Sequence, residues 1–442
     1  MTLEELRQRA KLPPPQEEHH PGPPPGWMPP LPPPAMEPQC EAAIRSAVRA
    51  DGTREMLTDT TFSAETDNQS VLYARAGAHV TAENTVFLKS GGAMVREVKN
   101  NAGEVTDPLP MLRGINSAVL VNGSNTEVHL SNCRILSPCT PGDMALEAAN
   151  GVFTVFRGKA FLKRVDIELD GGFGHGLYDS QFGIIYASDC TIRTSGHCAS
   201  ALATDQPGGD LYITRTYCQC TGPASAGVYV DGGSHAELYN CCLESQQGEG
   251  AVLCNDGFLH ISGSTLRGTT GAKLWQPVDQ PGTLELTDCT IIANSDSAFV
   301  FDGGYGTVTM DRCKLFPGPG QCAIESRRCP QHYDHIGRGT AVLRDCTIYG
   351  DIGASDDCSL SLKLEHSMVQ GEMYNVHLTV DYGSQVVFTG NSHLASLTAD
   401  TLKGLSATCP CTITYYPTEG GVSGTHPLPG GGILVPKENV FL

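Results

Sequence analysis

A spaced apolar signature returns along most of this chain, and it constrains the fold more than any other feature. Val128, Leu130, Cys133 and Ile135 stand five and three residues before, at, and two residues after the cysteine. The same spacing recurs at Ile185, Ala187, Cys190 and Ile192, and at Ala236, Leu238, Cys241 and Leu243. It returns around Cys289, Cys313 and Cys346. Looser members centre on Thr85, Val165, Tyr217, Ser264, Ser367 and Ser392, and a glycine such as Gly183, Gly209 or Gly282 precedes most centres by seven or eight residues. Fixed self-similarity at this period marks a repeat architecture.

Within each unit the apolar residues alternate, which means a strand with one buried face. Between the second apolar position and the centre the alternation slips by one, which predicts a bend or bulge that re-aims the chain. A unit this short cannot bury its own face, but stacked units share a continuous core with like residues in columns. The expected fold is all-β: a right-handed parallel β-helix of about a dozen coils with a Pro-rich N-terminal arm. Its boundaries are residues 1–40 for the arm, 41–405 for the β-helix and 406–442 for a Gly- and Pro-rich cap or tail. The arm favours polyproline II and carries Trp27. It is either a flexible leader or a segment pinned to the body by that ring.

The cysteines then have a structural reading. Cys133, Cys190, Cys241, Cys289, Cys313 and Cys346 fall in one inward column, where a free thiol packs as a small hydrophobe. They are expected to be buried and reduced, as in a reducing compartment.

Composition removes several function classes. The chain has 48 Asp and Glu against 29 Lys and Arg, a formal net charge of −19. That sign repels phosphate backbones and anionic lipid, so neither nucleic acid nor membrane is an expected partner. The N-terminal stretch has no apolar signal core and no run of 18 apolar residues follows, so the expected location is cytoplasmic.

A second strand column points to function. Ala118-Val119-Leu120, Gly151-Val152-Phe153, Gly176-Leu177-Tyr178, Ala201-Leu202-Ala203, Gly227-Val228-Tyr229, Ala251-Val252-Leu253, Lys273-Leu274-Trp275 and Ala298-Phe299-Val300 align with the middle residue inward. One flanking column is then small. The other carries Phe153, Tyr178, Tyr229 and Trp275, with Asp205, Asp231, Asn255 and Asp302 two residues further. Exposed rings beside small residues make a shallow groove that suits a flat ring substrate, unless turns or the arm cover them. The expected catalytic groups are His175, Tyr178, Asp205, Tyr229 and Asp231, acting by general acid and base chemistry. Expected substrate contacts are Phe153, Lys273, Trp275, Arg327, His332 and His335. The last three lie in the long step between Cys313 and Cys346, where Cys329, His332 and His335 follow at three-residue steps. That spacing alone does not make a metal site, and neither metal nor cofactor is expected.

The repeats resemble the pectate-lyase-like right-handed parallel β-helix superfamily. Gly174-His175-Gly176-Leu177-Tyr178, followed by Ser200 to Asp205 and Gly208-Gly209, looks like a group of bacterial β-helix repeat proteins. Those tend to carry an Asp-Arg-Gly-Gly turn, which Gln206-Pro207 interrupts here. The resemblance covers most of residues 70 to 400 and implies lyase, hydrolase or isomerase chemistry on carbohydrate. Two alternatives stay open: an enzyme acting on a phenolic or other planar small molecule, and a non-catalytic binding or adhesin-type β-helix.

Overall fold

The computed structural model describes residues 44–91, 98–99, 105–107, 114–138, 149–205, 208–275, 281–329 and 335–437. The Pro-rich arm, with Trp27, lies outside the described residues.

Each repeat supplies three short strands. One coil contains Leu177–Asp179, Ile184–Ser188 and Thr191–Thr194, and the next contains Leu202–Thr204, Asp210–Thr214 and Tyr217–Pro223. Successive coils pair in parallel and in register, with Leu177 opposite Leu202, Ile185 opposite Leu211 and Ile192 opposite Cys218. The first two strand columns join in a 29-stranded sheet, while the third forms a ten-stranded and then a four-stranded sheet. Among the described residues there is no α-helix. At the C-terminal end Gly432–Pro436 pairs in parallel with Cys411–Tyr415 and antiparallel with His426–Pro427.

The slip in the alternation is a one-residue corner. From Cys133 to Ser367 the residue before each centre takes positive φ, as at Asn132 (54°), Asp189 (57°), Asn240 (56°), Gly263 (61°), Asp288 (53°) and Asp345 (49°). Asn, Asp and Gly tolerate this left-handed conformation best, which explains their recurrence there. Arginines occupy the same corner in three coils, and each reaches back one coil. Arg164 Nε donates to Asn132 Oδ1, Arg215 clasps the Asp189 carboxylate at 2.7 and 2.9 Å, and Arg312 clasps Asp288 at 2.8 and 2.9 Å.

The six column cysteines are buried, between 1% and 4% exposed, and none is in a disulfide. Their chemistry goes beyond filling space. Cys346 Sγ donates to the carbonyl of Arg344 two residues back and to Met310 on the previous coil, at 3.2 and 3.3 Å. It also accepts the backbone N–H of Cys313 at 3.3 Å. Ser264 Oγ and Ser367 Oγ accept the N–H groups of Cys241 and Cys346 in the same way. The column therefore selects a small side chain that both donates and accepts. Two centres need correction on this ground. Tyr217 pairs with Thr191 and Cys242, so Thr216 is the column member between Cys190 and Cys241. Ser384, whose Oγ takes the Ser367 N–H at 2.9 Å, replaces Ser392. Ser392 opens a strand of the 29-stranded sheet instead.

Candidate functional site

The first strand of each coil is short and presents two adjacent outward columns. Register places Phe153, Tyr178, Ala203, Tyr229, Val252 and Lys273 in one. Asp205 and Asp231, then Cys254, Trp275, Asp302 and Arg327, follow in the next, because Cys254 pairs with Trp275 and Asp302 with Arg327.

This register corrects the sequence alignment in two respects. Val252, not Ala251, stands opposite Lys273, so Trp275 belongs to the column of acids, not to that of Tyr229. The small column is not the floor of a groove. Ala118 and Ala201 are fully buried, and a Cβ on Gly176 would lie 2.3 Å from Ile192 Cγ2 and 2.5 Å from the carbonyl of Ala201. Small residues are required there because the chain turns a corner against the next coil, inside the helix.

The two outward columns change character along the axis. At the N-terminal end the aromatic surface is covered. Phe153 and Tyr178 pack with Ile44, Ile115, Leu120 and Phe156, and their rings meet edge to face at 4.5 Å. His175 packs against Tyr178 at 4.6 Å, and its Nδ1 accepts the Ser200 N–H at 3.1 Å. Burial pushes the imidazole down to about 4, so the ring is neutral near neutral pH. Tyr178 Oη donates to Asp205 Oδ2 at 2.8 Å. Burial, with the negative charge of Asp205, raises its phenol well above the ordinary value and keeps it a donor.

The middle is more open. Tyr229 and Trp275 are half-buried and lean on Ala226, Val252 and Cys254. Burial raises the Tyr229 phenol far above its ordinary value. Asp231 is held by two donors on one oxygen, the Gly232 N–H and Asn255 Nδ2, each 2.6 Å from Oδ1. Asn255 thus lies beyond the column expected for it and serves Asp231. Asp205 and Asp231 occupy neighbouring coils, following the paired residues Thr204 and Val230.

At the far end charges interlock. Lys273 Nζ lies 2.6 Å from Glu249, 3.9 Å from Asp302 and 5.2 Å above the Trp275 ring. Arg327 makes a two-point contact with Asp296 at 2.8 Å and reaches Glu325 at 3.3 Å and Asp302 at 3.4 Å. Trp275 Nε1 points at Cys329 Sγ, 3.4 Å away, and Cys329 pairs with His335 in an isolated antiparallel bridge. His332 lies outside the described residues. Among the described residues no three His, Cys, Asp or Glu side chains are grouped as metal ligands.

Between the strand of Tyr178 and that of Arg327 lie six coil steps. At ~4.8 Å per step these groups span roughly 29 Å. Phe153, His175 and Tyr178 meet at one end and Lys273, Trp275, Arg327 and His335 at the other, with Asp205, Tyr229 and Asp231 between. No single small molecule touches both ends.

Glu249, Asp296 and Asp179 escaped sequence reading. The first two lie outside the aligned triplets. Asp179 had a signal, a carboxyl in an inward column otherwise filled by Val121, Thr154, Thr204, Val230 and Leu253. It is fully buried, neither oxygen has a partner among the described residues, and burial raises its pKa well above the ordinary value.

Among the described residues no helix is long and apolar enough to cross a membrane. A search of curated proteins finds no match to the chain. Residues 117–333 match the family model described as the right handed beta helix region. With parallel coils stacked in register on both sides of that segment, the chain is a right-handed parallel β-helix protein.

Proposed function

We propose that this protein is an enzyme that acts by general acid and base chemistry on an oligosaccharide laid along the outward face of its first strand column. One observation carries the reading: a strip of half-buried rings and fixed carboxylates that extends over several coils. Tyr229 and Trp275 offer apolar surface for sugar rings, and Asp205 and Asp231 sit on adjacent coils between the covered and the charged ends. The length of the strip favours an extended chain of sugars over a single planar ring.

Asp231 is the leading base or nucleophile. Its Oδ1 is pinned by Gly232 and Asn255, so the carboxylate has a fixed aim. Tyr178 orients Asp205. His175, neutral and packed behind Tyr178, supports that phenol by contact and is displaced from the acid and base role suggested by its ordinary pKa.

The test is turnover on an oligosaccharide panel with folding checked by circular dichroism. Asp231→Asn should lower the rate by ~10²–10⁴, the usual cost of losing a general acid or base. A change of only a few-fold on a genuine substrate would remove Asp231 from the chemistry. A non-catalytic binding role has one observation in its favour, the packing of Tyr229 and Trp275 on Val252 and Cys254, which also suits a static platform. Binding without any turnover across the panel would select it.

A further inference from the structure

We propose that the Pro-rich segment 23–34 of this same chain docks along a row of aromatic rings on the outward face of the second strand column. The row is separate from the strip of Tyr229 and Trp275. Register sets His129, Phe161, Tyr186 and Tyr212 side by side on four successive coils. Their ring centroids are 4.5, 5.1 and 4.9 Å apart, and successive planes lie within 11° of parallel. The row then steps sideways to His235 at 5.6 Å, where the planes turn to 63°, and on to Phe258 at 5.3 Å. Six coils in succession thus carry an aromatic ring on this face, and Tyr186 among them is 38% exposed. Apolar surface this continuous on an open sheet face marks an interaction site.

Stacking decides what the row can hold. The faces of the parallel rings lie against one another, so a sugar ring finds no open face there, and a line of electropositive ring edges points outward. A polyproline II segment is complementary. It has no internal hydrogen bonds, so its carbonyls are available to the ring edges and to the Tyr186 hydroxyl. Burial and the charge of Asp210 raise that phenol, which therefore stays a donor. The repeats also match, since three residues of polyproline II advance ~9.3 Å and two coil steps advance ~9.6 Å. Pro24, Trp27, Pro30 and Pro33 stand three residues apart and so share one face of such a helix. From Pro24 to Pro33 that face runs ~28 Å, against ~24 Å for the row from His129 to Phe258.

The place where the chain enters the body selects this occupant over the arm of a second copy. The described residues begin at Ile44, directly before Arg45–Asp51, which pairs with Gln69–Arg75 and through it with Val119–Asn122. The coil of Val119–Asn122 is the one that carries His129. Ile44 therefore lies two coils, ~10 Å along the axis, from the near end of the row. Residues 35–43 reach up to ~30 Å, enough to bring Pro33 to His129 and set Trp27 ~19 Å further on, beside Tyr212 and His235. The tether holds the segment at an effective concentration of order mM, so a weak affinity suffices, and prolines with fixed φ lose little entropy on docking. Charge agrees. Residues 13–43 contain Glu17, Glu18, Glu37 and Glu41 and no Lys or Arg, while Lys159 and Lys163 flank Phe161 on its strand. The acids beside the row already face cations or imidazoles: Glu127 faces His79, His129 and Lys159, and Asp210 and Glu237 face His235.

The chain has two tryptophans, so Trp275→Phe in the full chain leaves Trp27 as the reporter. In that background, acrylamide quenching should be ~3-fold or more weaker than after Tyr186→Thr with Tyr212→Thr, and than after Pro29→Ser, Pro30→Ser, Pro32→Ser and Pro33→Ser together. Circular dichroism checks folding. A second measurement needs no change to the row: p-benzoylphenylalanine in place of Trp27 should cross-link on irradiation to Asp210–Thr214, His235–Tyr239 or Phe258–Ser262 of its own chain. Quenching as strong as in the urea-unfolded chain, shielding that survives both sets of substitutions, or adducts confined to other strands would overturn the proposal. Shielding lost on dilution, or adducts that join two chains, would overturn it in favour of a second copy.

Discussion

At Cys346 one atom meets three demands: it fits the corner, shares its single proton between two carbonyls and accepts the N–H of Cys313. A hydroxyl can do the same, as Ser367 does in its own coil. Cys346→Ser should therefore change stability by less than about 1 kcal/mol, while Cys346→Val, close in volume, leaves a buried N–H without an acceptor and should cost about 1–3 kcal/mol. Urea unfolding of the two variants checks this, and equal losses would reduce the column to simple packing. His175 gives a second prediction at this scale. Its folded pKa of about 4 lies below the ordinary 6.5, so the fold holds the neutral ring. That contribution is complete above about pH 6.5 and is lost as pH falls towards 4, up to about 3 kcal/mol in all. His175→Gln should lose less stability than the wild type between pH 7 and 4.5. Parallel acid limbs for the two proteins would mean that the imidazole is solvated.

At the scale of the element, the corner before each centre sets the geometry of a coil. Asn240, at φ 56°, turns the chain from His235–Tyr239 into Cys242–Gln247. Asn240→Gly should be close to neutral, whereas Asn240→Val should cost roughly 1–2 kcal/mol for a β-branched residue forced into the left-handed region. Thermal unfolding separates the two, and equal effects would show that the corner relaxes. The bend itself was legible in the sequence, because an alternation of period two cannot gain a residue without turning. Its partners were less so. The Arg215–Asp189 and Arg312–Asp288 clasps join residues 26 and 24 apart, and such a pairing emerges only once the coils are set in register.

Across the whole molecule, each coil is a unit that touches its neighbours, so the stack should tolerate the loss of a complete turn. Cys242 stands opposite Thr265, which makes residues 242–264 one coil. Deleting all of them joins Cys241 to Thr265 at an equivalent position and should leave a cooperative, β-rich fold. Deleting only residues 242–253 shifts every inward residue after the junction out of its column and should abolish folding. Circular dichroism and a melting curve read both, and collapse of the full-coil deletion would show that the stack is not modular.

The sequence by itself determined the architecture, because the inward residues repeat a pattern that only stacked parallel strands can bury, and each copy states it again. It also marked Asp205, Tyr229, Asp231 and Trp275, since outward positions in a strand follow from inward ones. Tertiary structure decided the rest. Which outward residues share a column depends on coil lengths that vary from turn to turn, so Trp275 moved to the acids and Asn255 to the service of Asp231. Which rings are covered depends on distant segments: Ile44 and Ile115 close over Phe153 and Tyr178, and no local pattern announces that they will. Burial is a property of neighbours far along the chain, and it is burial that keeps His175 neutral and leaves the open strip to Tyr229, Asp231 and Trp275.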